Sequence, residues 1–188
     1  MVNATAPALG PRLHATSPAT ALVAAFTRIE RERMDGMAML NPHLQVEAIG
    51  WQRWQGHWLG ALLTPWFLNL VLVPGGLETW TPAADGKRVF HQFPAGDFAF
   101  LGNREPELGE FQSCSLYSPV DLFETQHDGR ETALAALQML LAPPQPASAP
   151  GPATGCGGQA AAAAPAEVPM AVPPQWSKRR FILGRRTA

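Results

Sequence analysis

The sequence predicts an α+β domain: a mainly antiparallel sheet of about five or six strands, with an N-terminal and a C-terminal helix packed on it and a disordered tail. Three observations carry this reading. The first is Leu59–Gly76, LGALLTPWFLNLVLVPGG, the longest apolar run, broken only by Thr64, Pro65 and Asn69. The second is a series of short apolar stretches around it, separated by Gly/Pro/Asn turn signals. The third is helical spacing of apolar residues near each end of the non-repetitive part of the chain.

The apolar run is a strand rather than a membrane span. A spanning helix needs about 20 predominantly apolar residues, and this one contains Pro65 and stops at Pro74-Gly75-Gly76. Phe67–Val73 reads as a strand buried on both faces in mid-sheet, with Thr64-Pro65 as a bend or bulge, because proline cannot donate to a central ladder.

In chain order, residues 1–16 are Ala/Pro/Thr-rich and expected to be loose. Ser17-Pro18 opens a helix, serine capping and proline taking the first helical position. Leu22, Val23, Phe26, Ile29 and Met34 form its apolar face, Arg28–Arg33 its solvated one, and Gly36 its stop. After the Asn41-Pro42 turn, Leu44, Val46 and Ala48 alternate with polar residues in a strand reaching about Trp54, and Gln55-Gly56 allows a hairpin into His57–Leu63. Lys87–Phe93, Asp97–Leu101 and Glu110–Leu116 are the later strands, with a turn at Pro94–Gly96 and a loop over Gly102–Gly109. Ser118-Pro119-Val120-Asp121 is read as the start of a second helix running to about Leu141, with Leu122, Phe123, Leu134, Leu137, Leu140 and Leu141 on the sheet and Gly129 as a kink. The expected organisation is therefore a flexible 1–16, a domain over 17–142, a Pro/Ala/Gly-rich disordered linker over 143–175 and a basic-aromatic motif over 176–188.

Composition narrows the function. A net charge of -1 gives no general electrostatic reason to bind nucleic acid. Cys114 and Cys156 make neither a disulfide framework nor a zinc site. No basic segment followed by an apolar one opens the chain, so a cytoplasmic protein is expected. The histidines His14, His43, His57, His91 and His127 lack metal-ligand spacing, and no metal or other cofactor is expected. Cys114 has no evident base, the serines lack a GxSxG context, and the glycines form no phosphate loop. No enzyme is expected. Trp51, Trp54, Trp58, Trp66 and Trp80 crowd one interval, as core residues or as anchors for a partner. Trp51 and Trp54 have opposite parity on one strand, so both cannot face one core, and at least one is expected to line a groove or edge.

NPHLQVEAIGWQRWQGHWLGALLTPWFLNLVLVP, FPAGDFAF, GEFQSCSLYSPV and the alanine-rich helix together resemble the HybE/HupJ/HoxT family of [NiFe]-hydrogenase assembly chaperones over roughly Ser17 to Leu141. The marks are Val46-Glu47-Ala48, Leu63–Leu72, Phe93–Gly96 and Cys114–Pro119. Some relatives carry a rubredoxin-like cysteine-rich segment; this chain has no CxxC pair, so no bound iron is implied.

The resemblance implies a chaperone that binds the immature small iron–sulfur subunit, its twin-arginine signal peptide or both. It would delay export and protect the subunit from oxygen until assembly is complete. Other accessory proteins or the large subunit are further implied partners, with no nucleic acid and no stable membrane insertion. The residues expected to meet the partner are Glu47, Trp51, Thr64, Pro65, Trp66, Phe67, Asn69, Asp121 and Glu124. Trp66 and Phe67 would meet an apolar peptide, and Glu47, Asp121 and Glu124 the arginines, which pair with carboxylates as a fork. Near the C-terminus Lys178, Arg179, Arg180, Phe181 and Leu183 resemble a twin-arginine core with lysine in the first arginine's place, which suggests a tethered mimic of the client peptide. The alternative is a general peptide- or subunit-binding module without a hydrogenase client.

Overall fold

The computed structural model describes residues 11–143; the expected linker and the signal-like motif Lys178–Leu183 lie outside the described residues. The long apolar run folds as a hairpin. β2 (His57–Leu63) and β3 (Leu68–Val73) pair antiparallel from Trp58↔Val73 to Leu63↔Leu68, so Thr64–Phe67 is the turn between two strands rather than a bend within one. Around them lie β1 (Glu47–Trp54), β4 (Arg88–Phe93), β5 (Gly96–Glu105) and β6 (Gly109–Tyr117), in the spatial order β1-β2-β3-β6-β5-β4, each neighbouring pair antiparallel. The apolar β3 is central and buried on both faces.

Each face of β1–β3 carries a core. α2 (Gln126–Leu141) lies over β1, β2 and β3 on one face, where Leu59, Ala61, Leu63, Leu68, Leu70 and Leu72 meet Ala133, Leu137 and Leu140. α1 (Ala19–Ile29) lies on the other, where Leu22, Ala25, Phe26 and Ile29 meet Leu62, Val71 and Phe111. Trp54 joins the α2-side core and Trp51 the α1-side core, so the opposite parity of the pair reflects two cores rather than a groove. Across six strands at about 4.8 Å spacing, flat edges would stand about 24 Å apart. Yet Trp54 on edge strand β1 stacks on Phe93 of edge strand β4 at 4.1 Å. The sheet therefore curls toward α2.

Local differences from the sequence reading have physical reasons. α1 runs through one π-helical turn, Glu30–Met34, before Gly36 takes a φ of 73°. Strand β1 begins at Glu47 rather than Leu44, because side chains of Asn41 and Gln126 take the backbone amides of His43 and Gln45. β5 continues through Gly102 and Asn103, leaving only Pro106–Leu108 as the connection to β6. Gly102 is needed because the 81–86 segment crosses it: a Cβ there would lie 2.5 Å from the Ala84 carbonyl oxygen. The second helix starts eight residues after Ser118, at Gln126, where Thr125 and Asp128 form a reciprocal capping box. Ser118-Pro119, joined by a cis peptide bond, lies in the connection instead, and Leu122 is exposed rather than packed on the sheet. Gly129 marks no kink; it sits in the first turn against Leu63, whose methyl would lie 2.6 Å from an added Cβ.

Of the expected loose lead-in, residues 12–15 are tied to the sheet. His14 N–H donates to the Pro74 carbonyl (3.0 Å), Trp58 Nε1 donates to the His14 carbonyl (2.8 Å), and Arg53 donates to Ala15 (2.9 Å) while stacking on Trp58. On β6, Glu110 is buried and accepts from two groups of the segment between β3 and β4, Trp80 Nε1 (3.1 Å) and the Ala83 amide (2.7 Å), with Arg104 at 3.9 Å.

Gly60 lies under the Trp51 indole, and a Cβ would come within 2.5 Å of the ring. Gly60→Ala is expected to cost about 1–3 kcal/mol by overpacking, read as a lower urea midpoint. His57 is buried, its Nδ1 accepting from the Gly75 amide (3.4 Å) and its Nε2 standing 2.9 Å from Thr79 Oγ1. Thr79 gives its hydroxyl proton to the Gln55 carbonyl, so its oxygen accepts from Nε2–H and the ring is neutral. Burial depresses the His57 pKa; the bond at Thr79 opposes this, and the charges of His91 and Arg53 reinforce it. The unfolded chain then takes up the proton first as pH falls. The His57 contribution is complete above the unfolded pKa of about 6.5 and is lost as pH drops through and below it. Unfolding midpoints at pH 8 and pH 5 should differ less in His57→Gln than in the wild type.

Candidate partner-binding surface

At one end of the sheet, three connections meet: the β2–β3 turn, the 35–46 segment leading into β1, and the 118–125 segment leading into α2. The turn holds itself together through Thr64, which is fully buried. Its Oγ1 accepts from the amides of Trp66 (3.3 Å) and Phe67 (3.0 Å) and donates to the Phe67 carbonyl (3.1 Å). Trp66 and Phe67 turn toward α1, edge-to-face with each other at 5.5 Å, and Phe67 meets Phe26 at 5.8 Å.

Asn41 joins the three connections. Its amide N–H donates to the Pro65 carbonyl (2.8 Å), and its Nδ2 donates to the carbonyls of Val120 (2.9 Å) and Phe123 (2.8 Å). The residue is buried, and every one of these bonds replaces water for a backbone group. The 35–46 and 118–125 segments are thereby fixed side by side.

Outward, the two segments carry an unusual combination. Met37, Met39 and Leu122 are exposed, Leu122 at 56%. Asp35, Asp121 and Glu124 are exposed beside them in sequence, and none of the three takes part in an ion pair among the described residues. Neither segment contains lysine or arginine. This surface can hold an apolar chain on adaptable methionine side chains and a guanidinium on carboxylates.

The residues named from sequence divide accordingly. Asp121 and Glu124 lie on this exposed surface. Thr64, Pro65 and Trp66 are buried and support it from within; Trp51, Phe67 and Asn69 are half-buried on the α1 side. Glu47 is engaged within the chain: Arg130 forks onto it (2.8 and 3.1 Å) and Gln126 also donates to it. Burial alone would raise the Glu47 pKa, but those hydrogen bonds and the Arg130 charge outweigh it and hold the carboxyl below its usual range. Glu47 thus fastens β1 to α2. From the sequence Asn41 is expected only as a turn residue and Leu122 only as a residue packed on the sheet, while Met37 and Met39 carry no expectation; the Met-Ala-Met between a helix stop and the Asn-Pro turn is the available signal.

Nothing in this surface is arranged for catalysis. Among the described residues no three His, Cys, Asp or Glu side chains converge as a metal site. A depression on the outer side of α1 is bounded by Arg28, Arg31, Glu32 and Glu107, of which Arg28 pairs with Glu107 at 2.9 Å and with Glu32 at 3.0 Å.

Residues 17–185 match the family model described as "[NiFe]-hydrogenase assembly, chaperone, HybE". The chain belongs to the HybE family of hydrogenase assembly chaperones. It is similar to Protein HoxT of Cupriavidus necator (33% identity over 174 residues, 86% of each chain). It is 34% identical over 132 residues to HupJ of Rhodobacter capsulatus, named a probable rubredoxin, covering 70% of this chain and 48% of that one. The chain thus spans about half the length of that relative. The solution structure of HybE from Escherichia coli superposes with a TM-score of 0.59 at 24% identity, covering 84% of this chain and 98% of that one, which shows a shared fold. The HybE family is one of chaperones rather than enzymes. Among the described residues no helix is long and apolar enough to cross a membrane.

Proposed function

We propose that this chain holds the precursor of a hydrogenase small, iron–sulfur subunit in the cytoplasm by its twin-arginine signal peptide. Export is delayed, and the subunit is shielded from oxygen, until its cofactors are in place. The observation that carries this reading is the surface joined by Asn41, where exposed Met37, Met39 and Leu122 lie with Asp35, Asp121 and Glu124 and no cation. A twin-arginine peptide is complementary to it in both respects: two guanidinium forks for the carboxylates and an apolar segment for the methionines and leucine. Such a site needs no acid, base or nucleophile. The Thr64-Pro65-Trp66-Phe67 turn, buried except for half-buried Phe67, and the Glu47–Arg130 fork serve to hold the surface in shape.

The test is co-purification of tagged chain with the small-subunit precursor, made with and without its signal peptide. Capture that depends on the signal supports the proposal. Equal capture of the signal-less subunit overturns it and puts recognition on the subunit body.

A further inference from the structure

We propose that two copies of this chain associate through the free edge of β4, continuing the sheet across a two-fold axis centred on Phe90. The sheet has two edges, β1 and β4. β1 is interrupted by a bulge between Ile49 and Gln52 and lies beside α2 through the Glu47–Arg130 fork, two features that discourage strand addition. β4 has neither. It is a regular six-residue strand paired to β5 without a register shift, and Phe90 at its centre is 70% exposed.

The backbone of β4 is set for such pairing. In an antiparallel ladder alternate residues direct both main-chain groups at the neighbouring strand. Phe93 and Gly96 close the two-residue Pro94-Ala95 turn, so Phe93, His91 and Val89 bond to β5. Arg88, Phe90 and Gln92 then present N–H and C=O groups at the open edge.

The helices pack mainly over β1–β3, and where α2 reaches the β4–β5 hairpin it does so on the face of Phe93 and Phe100, leaving Phe90 and its outward neighbour Leu101 exposed on the opposite face. An antiparallel partner β4 in register Phe90↔Phe90 sets the two phenyl rings against each other, with Ala99 flanking each on β5. The same register sets Arg88 opposite Gln92 of the other copy. Gln92 is paired with Asp97 on its own β5, so Arg88 reaches the row that holds the second copy's Asp97, about 10 Å away between Cα atoms. An extended arginine spans that gap. Neither Arg88 nor Asp97 joins an ion pair among the described residues. One chain thus carries both halves of a self-complementary contact, as a two-fold interface requires: an apolar centre and two reciprocal Arg88–Asp97 pairs.

Sedimentation of the full chain across a concentration series tests this. The wild type should dimerise reversibly. Phe90→Lys, a change at an exposed position that leaves thermal unfolding of the monomer unaltered, should give a monomer throughout. Arg88→Asp should weaken the dimer by about tenfold through loss of both charge pairs, and Arg88→Asp with Asp97→Arg should restore it. A monomeric wild type overturns the proposal, as does a dimer indifferent to both Phe90→Lys and Arg88→Asp. A monomeric wild type whose Phe90→Lys variant loses the client precursor would assign the edge to the client, which also overturns it.

Discussion

Phe100→Ala is expected to destabilise the fold by about 3–5 kcal/mol, in the range of deleting a buried aromatic side chain. Phe100 is fully buried on β5. It packs edge-to-face on His91 at 5.3 Å and near-parallel to Phe93 at 5.8 Å, and Phe93 in turn stacks on Trp54. Its removal leaves a cavity and also loosens the contact that holds the two sheet edges toward each other. Since domains are stable by about 5–15 kcal/mol, this single change brings the chain close to the folding threshold. Urea unfolding checks it: a lower midpoint of that size is expected, with Phe100→Leu intermediate. A change below about 1 kcal/mol would mean that the curl of the sheet does not depend on this aromatic stack.

Asn41→Ala is expected to cost about 2–4 kcal/mol, more than a polar-to-alanine change at the surface would. The substitution removes donors from the Val120 and Phe123 carbonyls and the acceptor of the His43 amide. A buried group left without a partner loses about 1–3 kcal/mol. It also frees the 118–125 segment from the 35–46 segment, so client capture should fall further than stability does. Hydrogen exchange in 118–125, measured where the variant remains folded, should accelerate while the centre of β3 stays protected.

Much of this architecture could be read in the sequence because it depends on local patterns. The apolar 68–73 stretch, the Gln55-Gly56 and Pro94-Ala95 turns, and the periodicity of Leu22, Phe26 and Ile29 each state their own conformation. The structure departs from the local pattern where distant residues decide. Ser118-Pro119 has the composition of a helix start, but Asn41 holds Val120 and Phe123 in the preceding connection, and Thr125 offers a reciprocal cap with Asp128. Gly102 and Gly129 look like breakers, yet each makes room for a neighbour, the Ala84 carbonyl in one case and Leu63 in the other. The candidate surface followed the same rule. The Thr64–Phe67 motif drew notice by its composition, but its prominence reflects packing against Phe26 and the Thr64 hydrogen bonds. Asp121 and Glu124 are legible as carboxylates in the Ser118–Thr125 stretch; that this stretch is joined to the one carrying Met37 and Met39 depends on the side chain of Asn41, which no local pattern states.

The most direct test of the proposed reading is the affinity of the full chain for the small-subunit precursor after charge reversal at Asp121 and Glu124. Both side chains are exposed and without an ion-pair partner among the described residues, so the Asp121→Lys/Glu124→Lys variant should unfold like the wild type. Its Kd for the precursor should rise by about tenfold or more, since each lost charge-assisted contact is worth about 1.5–3 kcal/mol. Its affinity for the signal-less subunit should not change. A variant that binds the intact precursor as tightly as the wild type would contradict that reading.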